Sequence, residues 1–219
     1  MAAAKTHDVM GQMARLRVVP IISIDDAGGA APLGDALAAG GLPIVEITFR
    51  TDAAESAIRT LARRGDLLVG AGTVLNPDIA KRAVDAGAQF LVTPGFNPKT
   101  VRWALDNQVP IVPGTSNATD LEMAVDHGVT TVKFFPAEAL GGVKTLKVLA
   151  GPFGMMKFVP TGGIAAEQME QYLAFPKVVA VGGSWMASKE LLAAKRFDEV
   201  TRLTREAVAR AAKAVAPAK

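Results

Sequence analysis

At TVKFFP a lysine stands inside an apolar run: Lys133 follows Val132 and precedes Phe134, Phe135 and Pro136. Lysine is among the residues least often fully buried. Burying an ammonium disfavours its charged form, and the neutral amine is the nucleophile that condenses with a ketone to give a Schiff base. The more ordinary role for such a lysine is to snorkel to solvent or to pair with a carboxylate. Glu46, inside PIVEITFRT, has a similar setting, and its ordinary role is an ion pair with Arg50 or Lys133. Strand alternation puts Ile44, Glu46 and Thr48 on one face. If that face is the inside of a barrel, Glu46 and Lys133 approach each other, and a carboxylate beside an amine that becomes a cationic iminium can carry protons. The two influences on the lysine oppose each other, since a carboxylate favours the ammonium and burial the amine.

Arg50 and Thr73 form a candidate carboxylate clamp, a planar fork of donors with one added hydroxyl. A surface ion pair is the alternative for Arg50. GAGT around Thr73 lacks the third glycine of a dinucleotide fingerprint, and no GxxxxGK[ST] occurs. Two glycine pairs, in Thr161-Gly162-Gly163 and Gly182-Gly183-Ser184, suit an anion, because glycine lets backbone N–H groups approach closely and a following helix N-terminus adds a favourable dipole. Each pair alone reads as a turn. The two histidines, His7 and His127, lie near no carboxylate pair at metal-ligand spacing, so no metal is expected. Trp103 and Trp185 read as packing residues.

The elements that must position these groups alternate along the chain. Eight short apolar runs, at 18–24, 44–48, 67–70, 90–93, 110–112, 131–134, 157–159 and 178–181, are separated by amphipathic stretches such as 53–64, 79–86, 99–106 and 121–127. That alternation is the signature of a parallel sheet with crossover helices. Glycines at AAGG, RRGD, DAGA and DHGV (Gly40 and Gly41, Gly65, Gly87, Gly128) mark helix ends, each followed within a few residues by a new strand. The expected fold is α/β, a compact (β/α)8 TIM barrel over residues 1–219, with an N-terminal helix at 1–16 and C-terminal helices at 188–219. An open doubly wound sheet is the alternative. Barrel active sites sit at the C-terminal ends of the strands, where Glu46, Arg50, Thr73, Pro94, Lys133 and both glycine pairs fall. Loops seven and eight of a barrel are frequent phosphate sites.

Composition narrows the function classes. The chain has 219 residues, 50% of them hydrophobic, and no cysteine, which removes disulfides, thiolate metal sites and cysteine nucleophiles. No run approaches the roughly 18 apolar residues of a membrane span, and the N-terminal stretch lacks a secretory pattern. These features fit a reducing cytosol, and a cytoplasmic location is expected. The net charge is only +3. The basic residues near the C-terminus (Arg202, Arg205, Arg210, Lys213, Lys219) read as a solvated helix face rather than a nucleic-acid surface, which would interleave aromatics.

The segments AAGGLPIVEITFRT, GAGTVLNP, DAGAQFLVTPGFNP, VPGTSN, VKFFPAEALGGVKTLKVLAGPF, FVPTGGI and VGGSW, in this order over about 18–186, resemble the 2-keto-3-deoxy-6-phosphogluconate (KDPG) aldolase family. The resemblance implies a (β/α)8 barrel assembled as a homotrimer, without metal or other cofactor. It also implies class I aldol cleavage of KDPG to pyruvate and glyceraldehyde 3-phosphate in the Entner–Doudoroff pathway. Lys133 then corresponds to the Schiff-base lysine and Glu46 to the general acid/base. Arg50, Thr73 and Thr161 correspond to binders of the substrate carboxylate or pyruvyl end, Pro94 and Phe135 to the pyruvate pocket wall, and Gly162, Gly163, Gly183 and Ser184 to the phosphate site.

The chain departs from the family at a few positions. Many members carry serine at Thr93 and leucine at Phe96, and some carry arginine at Ser23. The segment after Ala187 matches loosely. Two alternatives stand beside the main expectation. One is a sister aldolase acting on 4-hydroxy-2-oxoglutarate or 2-keto-3-deoxy-6-phosphogalactonate. The other is a barrel that binds a phosphorylated ligand without turning it over.

Overall fold

The computed structural model describes residues 8–214; His7, Lys219 and the outer ends of the expected terminal helices lie outside them. The chain opens with α1 (Val9–Leu16) and β1 (Val18–Ile22), then a 3-10 turn (Ala27–Gly29) leading into α2 (Ala30–Ala39). β2 (Ile44–Thr48), α3 (Ala54–Ala62), β3 (Leu68–Gly72), α4 (Pro77–Asp85), β4 (Phe90–Val92) and α5 (Pro98–Asp106) follow. Next come β5 (Ile111–Val112), β6 (Gly114–Thr115), α6 (Ala118–Asp126), β7 (Thr131–Phe134), α7 (Gly142–Leu149), β8 (Lys157–Pro160), α8 (Met169–Leu173) and β9 (Val181–Gly183). The chain ends in a second 3-10 turn (Trp185–Ala187), α9 (Lys189–Ala193) and α10 (Phe197–Lys213).

All strand pairings are parallel, in the orders β5-β4-β3-β2-β1-β9 and β6-β7-β8. β5 and β6 are two pieces of one barrel strand. Pro113 lies between them and has no N–H for the ladder, but its carbonyl still accepts from Lys133 N at 2.8 Å. The other seam closes through bridges from Phe158 to Val178 and from Thr161 to Gly182. The result is a ring of eight strands with helices outside, the (β/α)8 barrel and not the open sheet.

Local chemistry explains the elements. Asn76, Asn97 and Asn117 cap α4, α5 and α6 by accepting from the N–H groups of Ile79, Lys99 and Asp120 at 2.9, 3.0 and 3.0 Å. Pro77 and Pro98 occupy the first helical turn, where a missing N–H is harmless. Gly41, Gly65, Gly87 and Gly128 all have positive φ, the helix-ending role their spacing predicts. Val9 and Met13 of α1 are buried, and α10 buries Val200, Thr204, Ala207 and Ala211. Two of its basic residues are ion-paired, Arg202 with Glu199 and Glu206 and Arg210 with Glu167 and Glu170. That is the solvated face expected of them.

One element differs from expectation. The last apolar run predicts a strand at 178–181, with Gly182 and Gly183 in the loop beyond it. Instead β9 begins at Val181 and carries both glycines, paired with Val19 and Pro20 of β1. The reason is close packing. A Cβ on Gly182 would collide with the Thr161 hydroxyl, and one on Gly183 with the Trp185 ring.

Candidate active site

Glu46 sits in the middle of β2 and Lys133 near the end of β7. In the ring, β1, β9 and β8 separate them on one side, and β3, β4 and the β5–β6 strand on the other, so the two face each other across the barrel. Lys133 Nζ lies 3.7 Å from Glu46 Oε1, with side chains 8% and 4% exposed. Of the two ordinary partners for Glu46, the ion pair is with Lys133. β3 makes room for it. Its sequence LVGAG places Gly72 beside Glu46, and a Cβ there would collide with Glu46 Oε1. Gly70 makes the same allowance for the Phe90 ring.

The electrostatics of the pair follow from this burial. Glu46 Oε1 is buried and accepts no hydrogen bond. Desolvation pushes the Glu46 carboxyl above its ordinary range, while Lys133 and, more weakly, Arg50 pull it back. On its other side Lys133 Nζ stands 5.0 Å from the centroid of the Phe135 ring. The strand beneath it is held by Thr115, whose hydroxyl donates to the Lys133 carbonyl at 3.1 Å.

Lys133 opens into a cleft of about 210 Å³ at the C-terminal mouth of the barrel. Arg50, Thr73, Pro94, Phe135 and Thr161 all line it, as do Gly162, Gly163, Gly183 and Ser184. Glu46 does not reach the cleft wall and lies behind the lysine. Every residue that the sequence singles out for chemistry is therefore in the cleft or one side chain removed from it.

Arg50 is aimed by Thr48. The Thr48 hydroxyl donates to the Ile22 carbonyl and accepts from Arg50 Nε, both at 3.1 Å. Among the described residues, the terminal amino groups of Arg50 have no protein acceptor or ion pair, so the surface ion pair is not made and the fork is open to a ligand. Thr73 holds φ at 57°, an outlier for a β-branched residue, and such strain concentrates at functional sites at a cost of about 1–3 kcal/mol. The Thr93 hydroxyl donates to Gly95 O at 2.6 Å and accepts from Gly114 N at 3.1 Å, which fixes the turn carrying Pro94. Gly162 and Gly163 have φ of 103° and 78°, open to glycine and strained for other residues. The N–H groups of Gly163, Ile164 and Ser184 donate to no protein acceptor among the described residues, although all three residues line the cleft. Unpaired donors at the ends of strands suit an anion.

Gly182, part of the second glycine pair, also lines the cleft, as do Thr48, Ile21 and Ile164, which are not among the predicted site residues. Thr48 was within reach, because alternation already places it on the face of Glu46. Gly72 lay inside the GAGT segment, but its task depends on where the Glu46 side chain ends. Ser23 lines a separate cavity of about 380 Å³ between the loop after β1 and α9, along with Asp25 and Lys189. That cavity holds neither Lys133 nor Glu46. Among the described residues no group of three or more His, Asp or Glu could hold a metal ion, and no helix is long and apolar enough to cross a membrane.

Comparison with known proteins accords with this geometry. A family model described as KDPG and KHG aldolase matches residues 9–203. The 2-dehydro-3-deoxy-phosphogluconate aldolase of Haemophilus influenzae is 46% identical over 204 residues, 93% of this chain and 96% of that protein. The crystal structure of the 2-keto-3-deoxy-6-phosphogluconate aldolase of Zymomonas mobilis ZM4 with 3-phosphoglycerate superposes with a TM-score of 0.86 at 38% identity, covering 93% of this chain and 96% of that one. The KDPG aldolase of Legionella pneumophila, with pyruvate captured at low pH as a covalent carbinolamine, gives 0.87 at 36% identity, covering 90% and 96%. With the family model matched over most of its length and its barrel shared with solved members, the chain belongs to the KDPG and KHG aldolase family.

Proposed function

We propose that this protein is a class I aldolase, a lyase that reversibly cleaves KDPG to pyruvate and glyceraldehyde 3-phosphate, with Lys133 as nucleophile and Glu46 as acid/base. The observation that carries this proposal is the buried Lys133–Glu46 pair at the floor of an anion-ready cleft. The Lys133 ammonium passes a proton to Glu46, whose raised proton affinity favours the transfer, and the neutral amine attacks the C2 ketone. Glu46 returns the proton to the departing hydroxyl of the carbinolamine, leaving water and an iminium. The Glu46 carboxylate then takes the C4 hydroxyl proton through a water. The C3–C4 bond breaks, its electron pair flows into the iminium to give an enamine, and the aldehyde leaves. Glu46 protonates the enamine at C3, and water releases pyruvate and Lys133. Splitting one hard step into several easier ones is the gain of covalent catalysis.

In this proposal Arg50 and Thr73, with Thr161, hold the substrate carboxylate, and Pro94 and Phe135 wall the pyruvyl group. Gly162, Gly163, Gly183 and Ser184 take the phosphate. The free fork of Arg50 and the unpaired N–H groups of Gly163 and Ser184 support these roles. The covalent pyruvate adduct of the Legionella protein supports the Schiff-base route. A homotrimer belongs to the same proposal and is tested by light scattering in solution.

The testing experiment measures kcat/KM for KDPG, its galactonate epimer and 4-hydroxy-2-oxoglutarate side by side, with pyruvate release as the readout. KDPG should be the best substrate. A higher kcat/KM for 4-hydroxy-2-oxoglutarate or for the galactonate epimer would assign the chain to a sister activity instead.

A further inference from the structure

Glu138 lies outside the cleft, five residues beyond Lys133, in the turn that follows β7. The turn it belongs to is stapled to the next one: Ala137 N donates to Thr161 O at 2.8 Å, and Glu138 N donates to Gly162 O at 3.0 Å. The carbonyls of Thr161 and Gly162 are thereby engaged on the Glu138 side. The Glu138 side chain packs against the same turn, since a Cβ on Gly163 would stand 2.9 Å from Glu138 Cβ.

The carboxylate is held at both oxygens. Oε1 accepts from the hydroxyl of Tyr172, which is fully buried, and Oε2 accepts from Gln168 Nε2 at 2.8 Å. Gln168 in turn accepts from Ala165 N at 2.8 Å, so the chain leaving the glycine pair is tied into the same network. Glu138 has no ion pair among the described residues; its partners are neutral donors with fixed directions. Two successive glycines at positive φ have no intrinsic preference for that conformation, so the surroundings must supply it.

We infer that Glu138 is a positioning residue, which through Tyr172 and Gln168 fixes the Gly162–Gly163 segment so that its free N–H groups meet the substrate's phosphate, while Thr161 stays held by the sheet through Phe134 and Gly182. This rests on the phosphate role proposed above for Gly162 and Gly163. A carboxylate behind an anion site would otherwise only repel the anion, so removing its charge while keeping its shape separates geometry from charge.

The test compares KDPG with 2-keto-3-deoxygluconate, which lacks the phosphate, in wild type, Glu138→Ala, Glu138→Gln and Gln168→Ala. The wild type should prefer the phosphorylated substrate. Glu138→Ala should raise KM for KDPG roughly ten- to hundredfold, leave the unphosphorylated substrate within about twofold, and leave borohydride trapping of pyruvate intact. Glu138→Gln should recover most of the loss, and Gln168→Ala, at a half-buried side chain, should show a smaller loss of the same kind and carry the test if Glu138→Ala does not fold. Equal losses on both substrates, or an undiminished phosphate preference in the variants, overturn this inference alone. A wild type indifferent to the phosphate overturns the phosphate role and this inference with it.

Discussion

Lys133 on β7 and Glu46 on β2 meet 3.7 Å apart inside the barrel, from strands on opposite sides of the ring. Opposed strands can bring an amine and a carboxyl together in a largely buried setting, so each is the other's nearest ionic partner. The proton relay proposed for this pair can be tested by changing each partner separately.

Glu46→Gln should leave the Schiff base formable but slow proton traffic at carbon. We expect exchange of the pyruvate methyl protons to fall about 10²–10⁴-fold, measured by NMR in deuterium oxide. The exchange rate of the wild type should fall as pH drops, because the base form is lost on protonation. Burial raises the Glu46 carboxyl, so this acid limb should lie above the ordinary carboxylate range and be absent from the variant. Unchanged exchange in Glu46→Gln would remove Glu46 from this role.

The same shift links pH to stability. A carboxyl with a raised folded-state value binds its proton more tightly in the native than in the unfolded chain, so its contribution is full below the ordinary value of 4.5 and is lost as pH rises through the folded-state value. Urea unfolding between these limits should show wild-type stability falling with pH more steeply than that of Glu46→Gln. Parallel slopes would contradict the assignment of that shift to Glu46.

Gly72→Ala tests the space allotted to the carboxylate. The added methyl collides with Glu46 Oε1, so we expect a stability loss of about 1–3 kcal/mol and slowed methyl exchange, with trapping of pyruvate on Lys133 retained. Normal exchange in this variant would show that Glu46 need not sit where β3 leaves room for it.

Arg50→Lys should raise the half-saturating pyruvate concentration in the exchange reaction roughly tenfold or more, because an ammonium cannot reproduce the bidentate fork. Thr48→Val, which removes the acceptor of Arg50 Nε, should act in the same direction, and Thr48→Ser should restore binding. Wild-type affinity in Arg50→Lys would rule out the carboxylate clamp.

Much of this site was legible in the sequence because its residues break local rules. A lysine and a glutamate inside apolar strands are conspicuous at any position, and the period of strand and helix implied the barrel that lets them meet. Gly41, Gly65, Gly87 and Gly128 were legible as helix ends for a similar reason, since each follows an amphipathic stretch. What escaped was set by contacts distant in the chain. Gly182 and Gly183 look like a loop, yet they belong to β9 because Thr161 and Trp185 leave no room for side chains there. Thr48 reads as one more strand residue until its hydroxyl is seen between Ile22 and Arg50. Ser23, at the end of the first strand, turns toward a different cavity, which strand order alone could not reveal.

The most direct test of the central claim is reduction with borohydride in the presence of pyruvate, followed by peptide mass mapping. We predict one reduced pyruvate adduct per chain, on the peptide containing Lys133, lost in Lys133→Ala together with aldol cleavage, which should drop on the order of 10⁴-fold or more. An adduct on another lysine, or an unmodified Lys133 in an enzyme that still cleaves its substrate, would contradict the Schiff-base mechanism.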